Sequence, residues 1–169
     1  MPICVHLSNG WIGFLIIHMI TITLSDPESA KARAALAQYY TELADAFAGG
    51  FDVTQSRDPD ADALRPPKGG FFLALHMDRP VGCVALKGGG MFGEIKRLWV
   101  CPAVRGQGLA RRLMEAAEAH AREMGVNCLR LDTNRALPDA ISMYRRWGWA
   151  EIDRFNDDPY AHVFFEKQL

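Results

Sequence analysis

The stretch from Glu94 to Asp132 constrains the fold more than any other part of the chain. It reads as a strand over Glu94–Val100, a loop over Pro102–Gly108, a helix to about Met124, a stop at Gly125 and a short strand over Asn127–Asp132. Leu109, Leu113, Ala116, Ala117 and Met124 recur at helical spacing and form the apolar stripe. Two strands of one sheet bridged by a helix run parallel, and the crossover is almost always right-handed.

The flanks extend that unit. Ile20–Leu24 alternates as a strand, and Ser25, Asp26 and Pro27 suit a helix start. Leu36, Tyr40, Leu43 and Phe47 share one helical face, and Gly49-Gly50 ends that helix. Phe51–Gly70 reads as a loop region with a short helical turn near Asp60–Leu64. Phe71–His76 and Val81–Leu86 form a hairpin across Met77–Pro80. Pro138–Trp147 is a further helix closed by Gly148. Trp149–Phe155 and Ala161–Lys167 make a closing antiparallel pair around Asn156–Tyr160. The order β-α-β-β-β-α-β-α-β-β predicts a mixed α/β fold.

A chain of 169 residues suits one domain and buries a core without disulfides or metals. Its net charge of −1 gives no field for nucleic acid or an anionic membrane, so any phosphate must be held locally. Cys4, Cys83, Cys101 and Cys128 form neither a CxxC pair nor a zinc-spaced Cys/His cluster. No metal is expected, and the four read as small, reduced thiols of a cytoplasmic protein. The apolar run Trp11–Leu24 is shorter than the ~20 residues that span a bilayer. Met1–Gly10 lacks the Lys or Arg of a signal peptide. The expectation is a natural start at Met19, residues 1–18 as an extension outside the fold, and residues 19–169 as a single domain. The same apolar run leaves room for a homodimer surface.

The turn between strand and helix carries the chemistry. In Arg105-Gly106-Gln107-Gly108-Leu109-Ala110, two residues without Cβ let the backbone approach a ligand. Free N–H groups and the positive dipole end at the helix start then favour an anion. Arg105 adds a charge-assisted donor. The P-loop spacing GxxxxGK[ST] is absent, and Leu109, Ala110 and Arg111 break a GxGxxG fingerprint.

These residues resemble a known family. Arg105–Ala110 matches the (Q/R)xxGx(G/A) motif of the GCN5-related N-acetyltransferases (GNAT family). Glu94–Val100 looks like that family's fourth strand, and Ala140–Trp149 looks like its AxxxYxxxG(F/W) segment. The resemblance runs from about Ile20 to the C-terminus. It implies a twisted mixed sheet of six to seven strands flanked by about four helices, with the fourth and fifth strands splayed apart. It implies acetyl-CoA as co-substrate and no metal. The pantetheine arm would pair with Leu98, Trp99 and Val100, an N–H near Leu98 would face the thioester carbonyl, and the diphosphate would sit on Arg105, Gly106, Gln107, Gly108, Leu109 and Ala110. Arg111 would reach the 3′-phosphate or stand as an ordinary exposed helix residue. Leu137 occupies a position where the family often has Asn, which leaves Asn134 as the nearest residue to bond the pantetheine or the helix loop.

The resemblance implies Tyr144 as general acid toward the departing thiolate. An amine with a pKa near 10.4 is neutral in only about one molecule of 2,500 at pH 7, so a proton acceptor is expected. Glu94 resembles the carboxylate that serves some family members; the alternative is an ordinary strand-end Glu. The acceptor pocket is expected from Tyr39, Tyr40, Phe51, Asp157, Asp158 and Tyr160, with His162 as a further candidate. The implied activity is direct acetyl transfer to a small-molecule primary amine. Protein lysine or N-terminal acylation, and a non-catalytic acyl-CoA sensor, are its rivals.

Overall fold

The computed structural model describes residues 19–56 and 60–169; the expectations for residues 1–18 lie outside them. The strands are β1 (Thr21–Leu24), β2 (Gly69–His76), β3 (Arg79–Lys87), β4 (Gly93–Val100), β5 (Cys128–Thr133), β6 (Ala150–Ile152) and β7 (Val163–Gln168). The α-helices are α1 (Ala30–Ala46), α2 (Leu109–Glu123) and α3 (Pro138–Arg146). Single 3-10 turns at Asp62–Leu64 and Pro102–Val104 complete the described elements, so three α-helices stand where about four were expected. The strands form one sheet in the order β1-β2-β3-β4-β5-β7-β6, parallel only between β4 and β5.

Local chemistry explains the element ends. Ser29, not the Ser25-Asp26-Pro27 segment, caps α1: its hydroxyl accepts from Ala32 N at 3.2 Å, while the Asp26 carboxylate closes a turn onto Glu28 N. Gly125, at φ 77°, ends α2 with Val126 N bonded back to Ala121 O, the pattern of a left-handed C-terminal cap. Phe71 to Ala74 and Cys83 to Leu86 are buried without alternation, as the inner strands of a sheet covered on both faces require. Leu109, Leu113, Met114, Ala117 and Ala121 form the buried stripe of α2. No described helix is long and apolar enough to cross a membrane.

Two irregularities position the functional region. In β4, Lys96 pairs with Ala85 and Trp99 pairs with Cys83, so Arg97 and Leu98 together oppose Val84. This is a β-bulge, with Arg97 at φ 56° and its carbonyl accepting from Cys83 Sγ at 3.3 Å. It breaks the alternation that a regular strand would give. The second irregularity is the end of β4–β5 pairing, which is recorded only at Gly93↔Leu129 and Glu94↔Arg130. Beyond Glu94 the two strands part.

Leu113 is fully buried between α2 and the sheet, 3.0 Å from where a Cβ on Gly82 would stand. Leu113→Ala should therefore lower stability by about 2–5 kcal/mol. The check is a lower urea midpoint with an unchanged denaturant slope.

Candidate active site

The gap between β4 and β5 opens into two clefts. The first, of about 580 Å³, runs from Leu98, Trp99 and Val100 along Val104–Gly106 and Gly108–Arg111 to the start of α3. The second, of about 120 Å³, is lined by β4 and β5 on one side and by the end of α1, Phe51, Ser56, Asp158 and Tyr160 on the other. Tyr39, Leu43, Leu98, Leu137, Ala140 and Tyr144 line both, so the clefts meet at these six residues.

The first cleft carries the turn expected to hold phosphate (the phosphate turn). Gly106 and Gly108 sit at φ 74° and 84°, in the left-handed region that other residues rarely adopt. A Cβ at either position would meet nothing within 4 Å; backbone conformation, not crowding, selects glycine there. Leu109, Ala110 and Arg111 open α2, and first-turn N–H groups have no acceptor within their own helix. Gln107 does not line the cleft, and its side-chain oxygen is buried without a partner. Arg111 lines the rim and pairs with Glu115 at 3.1 Å.

Arg105 is held differently from the sequence expectation. Its Nη2 donates to both carboxylate oxygens of Glu42, at 2.5 and 2.7 Å, and its Nε donates to Val100 O at 2.9 Å. Glu42 also accepts from the Trp99 indole at 3.0 Å. One carboxylate on α1 thus clamps β4 and the phosphate turn together. Glu42 escaped sequence reasoning because its partners lie more than fifty positions away.

Tyr144 is buried against Trp147, Trp149 and Phe165, with ring centroids 5.7–6.4 Å away. Burial, and secondarily the Asp132 charge, push its phenol well above the ordinary range, so it stays protonated at neutral pH. The aromatic expectations converge: Tyr40 stacks on Phe51, and Tyr160 lies against both Phe47 and Phe51. Asp158 is 3% exposed and accepts from Ser56 Oγ and Tyr160 N at 2.8 and 2.9 Å.

Four of the expected residues lie outside the clefts or are already engaged with protein. Glu94 lies outside both lining sets; its carboxylate faces Lys87 at 3.4 Å and Lys96 at 3.9 Å. It sits where β4 and β5 are still paired, before the gap opens. Asp157 and the exposed His162 also fall outside the lining, because Asp158 and Tyr160 take the inward positions of that loop. Asn134 lines the second cleft, but its amide is engaged with protein. Oδ1 accepts from Ala136 N and Nδ2 donates to Tyr160 O, both at 2.8 Å, which ties the turn before α3 to the closing loop.

Among the described residues, no thiol is poised for covalent catalysis. Cys83 is fully buried and pushed up to about 12 by that burial. Cys83 and Cys128 are free thiols. No group of three metal-binding side chains occurs among the described residues.

Residues 36–149 match the model of the Acetyltransferase (GNAT) family. An IAA acetyltransferase of Azospirillum brasilense is 36% identical over 115 residues, covering 65% of this chain and 74% of that protein. An aminoalkylphosphonate N-acetyltransferase of Salmonella typhimurium is 30% identical over 136 residues, covering 77% and 82%. A crystal structure of a Klebsiella pneumoniae protein assigned as an acyl-CoA N-acyltransferase superposes with a TM-score of 0.71 at 31% identity, over 89% of this chain and 98% of that one. The chain belongs to the acetyltransferase (GNAT) family.

A β-branched residue strongly resists the φ of 84° at Gly108. Gly108→Val should raise the CoA dissociation constant at least tenfold, about 1.4 kcal/mol or more. Calorimetric titration with CoA checks this, and an unchanged constant would remove the turn from the donor site.

Proposed function

We propose that this family member transfers the acetyl group of acetyl-CoA directly to a primary amine of a small molecule, within one ternary complex. The observation that carries the reading is the meeting of the two clefts at Leu98 and Tyr144. The large cleft, with its helix-start N–H groups and unpaired β4 edge, suits the donor. The small, ring-lined pocket suits a compact acceptor better than a peptide chain. The names of the two curated relatives point to small molecules as well.

In this reading the diphosphate sits on Gly106–Arg111, and the pantetheine lies along Leu98–Val100 where β5 has withdrawn. Arg105 contributes by holding the turn through Glu42 and Val100. An N–H near Leu98 stabilises the developing oxyanion. Tyr144 faces the departing sulfur. Full transfer from a phenol held above ~10 to a thiolate whose parent thiol lies near ~8.5 is uphill by about 1.4 kcal/mol per pKa unit. Tyr144 therefore acts first as a hydrogen-bond donor to that sulfur. With no poised thiol described, direct attack replaces an acyl-enzyme intermediate.

A thiol-release assay with acetyl-CoA against benzylamine, 2-aminoethylphosphonate and a lysine-containing peptide tests the function. Turnover is expected with a small amine. Turnover with the peptide alone would overturn the small-molecule reading, and CoA binding without any turnover would support a sensor. Tyr144→Phe should lower kcat by about a hundredfold with little change in KM for acetyl-CoA. Because the Tyr144 phenol is held above its ordinary ~10, the wild type should show no loss of kcat from its ionisation below about pH 10. A falling limb at pH 8–9 that disappears in Tyr144→Phe would contradict this placement.

A further inference from the structure

The acceptor pocket holds a carboxylate that neither the motifs nor the expected base account for. Asp132, near the end of β5, lines the pocket with a side chain 13% exposed. Its Oδ2 accepts from Lys96 Nζ and from Asn156 Nδ2, both at 2.8 Å. Its Oδ1 takes no hydrogen bond from the described residues. A carboxylate accepts about four hydrogen bonds over its two oxygens, so Asp132 keeps accepting capacity in a pocket that must receive an N–H. Lys96 and Asn156 come from β4 and the closing loop, so three separate segments converge on this one group. Glu94, by contrast, stands outside the pocket between two lysines.

We propose that Asp132 takes the proton from the attacking amine, with Lys96 and Asn156 holding Oδ2 and leaving Oδ1 for the acceptor. This rests on the transfer reading above. The amine nitrogen forms a bond to the thioester carbonyl carbon, and the carbonyl π pair moves onto oxygen. The N–H proton passes to Oδ1. The oxyanion collapses, the C–S bond breaks and its electron pair leaves on sulfur. The sulfur gains a proton through Tyr144, and the proton on Asp132 restores the phenol by way of solvent. The net change is amine plus acetyl-CoA to acetamide plus CoA thiol.

Electrostatics link the two ends of this path. The Asp132 charge adds to burial in holding the proton on Tyr144. Protonating Asp132 removes that charge, so the phenol becomes a better donor as the sulfur departs. The charged and titratable groups that line the pocket with Asp132 are Tyr39 and Tyr40 from α1, Lys96 and Arg97 from β4 with Glu94 beside Lys96, Tyr144 from α3, and Asp158 and Tyr160 from the closing loop.

The test compares wild type, Asp132→Asn, Lys96→Met and Glu94→Gln by thiol release, with whichever of benzylamine and 2-aminoethylphosphonate the wild type acetylates. A CoA-dependent thermal shift confirms an intact donor site in each variant. Asp132→Asn should lower kcat about a hundredfold at pH 7, with KM for acetyl-CoA within about twofold. Raising the pH toward 10 enlarges the neutral share of the amine for both enzymes alike, so the deficit should persist there. Lys96→Met removes one of the two donors that hold Oδ2 and should lower kcat at least about tenfold with KM for acetyl-CoA within about twofold, and Lys96→Arg should restore most of that loss. If Asp132→Asn does not fold, Lys96→Met carries the test alone. Full activity in Asp132→Asn, or full activity in Lys96→Met, overturns the assignment and leaves the transfer reading intact. Loss in Glu94→Gln with Asp132→Asn at full rate returns the role to Glu94. A wild type inert toward every amine overturns the transfer reading and this inference with it.

Discussion

The parting of β4 from β5 after Glu94 is the constraint on which the rest of the structure depends. Two adjacent parallel strands would ordinarily satisfy each other's backbone groups along their full length. Here they do so over two residue pairs and then separate. The bulge at Arg97–Leu98 falls in the separated part of β4, where it adds a residue and increases local twist. The exposed strand edge is tolerable because it lies inside a cleft rather than at the rim of the sheet, where it would invite pairing with another chain. Tyr144 from α3 and Leu43 from α1 reach the gap from outside the sheet.

The helix α1 joins the two halves of that gap. Its Tyr39 and Leu43 line both clefts, and between them Glu42 binds Arg105 and the Trp99 indole. The Arg105–Glu42 pair is partly exposed, so its worth in stability is modest. Its geometric effect is larger: one guanidinium nitrogen shared by both carboxylate oxygens, together with an indole N–H, fixes the chain from Trp99 to Arg105 that leads into the phosphate turn. A mobile turn would lose much of the benefit of N–H groups already directed at a ligand, since ordering them on binding subtracts from affinity.

Legibility in the sequence divides along the same line. The crossover, the seven strands and the glycine turn were readable because each is set by neighbours in the chain: helical spacing in α2, positive φ at Gly106 and Gly108, the stop at Gly125. Tyr144 was readable because its segment keeps a local pattern. The bulge was not, since Arg97 adopts φ 56° without being glycine and only β3 pairing reveals it. The cap at Ser29 was missed because Ser25-Asp26-Pro27 carries the same chemistry four residues earlier and uses it in a turn. Glu42 and Asp132 were invisible for a common reason. Each acts through partners on other elements, 63 positions away for Arg105 and 36 for Lys96.

That division has a chemical basis. A diphosphate and a pantetheine arm are invariant ligands, so a short backbone segment with fixed torsions can be shaped to them and written as a motif. Amine acceptors vary in size and charge, and the pocket proposed for one here is assembled from α1, Phe51, β4, β5 and the closing loop, each contributing a few side chains. A residue in such a pocket is recognisable by what surrounds it rather than by what precedes it in the chain. Glu94 illustrates the point. Its position at the head of β4 invites a catalytic reading, yet strand pairing there is still intact and two lysines face its carboxylate. Asp132 sits a few residues further along the neighbouring strand, past the parting, where a carboxylate reaches the space the strands have vacated. The proton transfer proposed for Asp132 therefore depends on where the sheet opens, and that is a property of strand pairing and not of any motif.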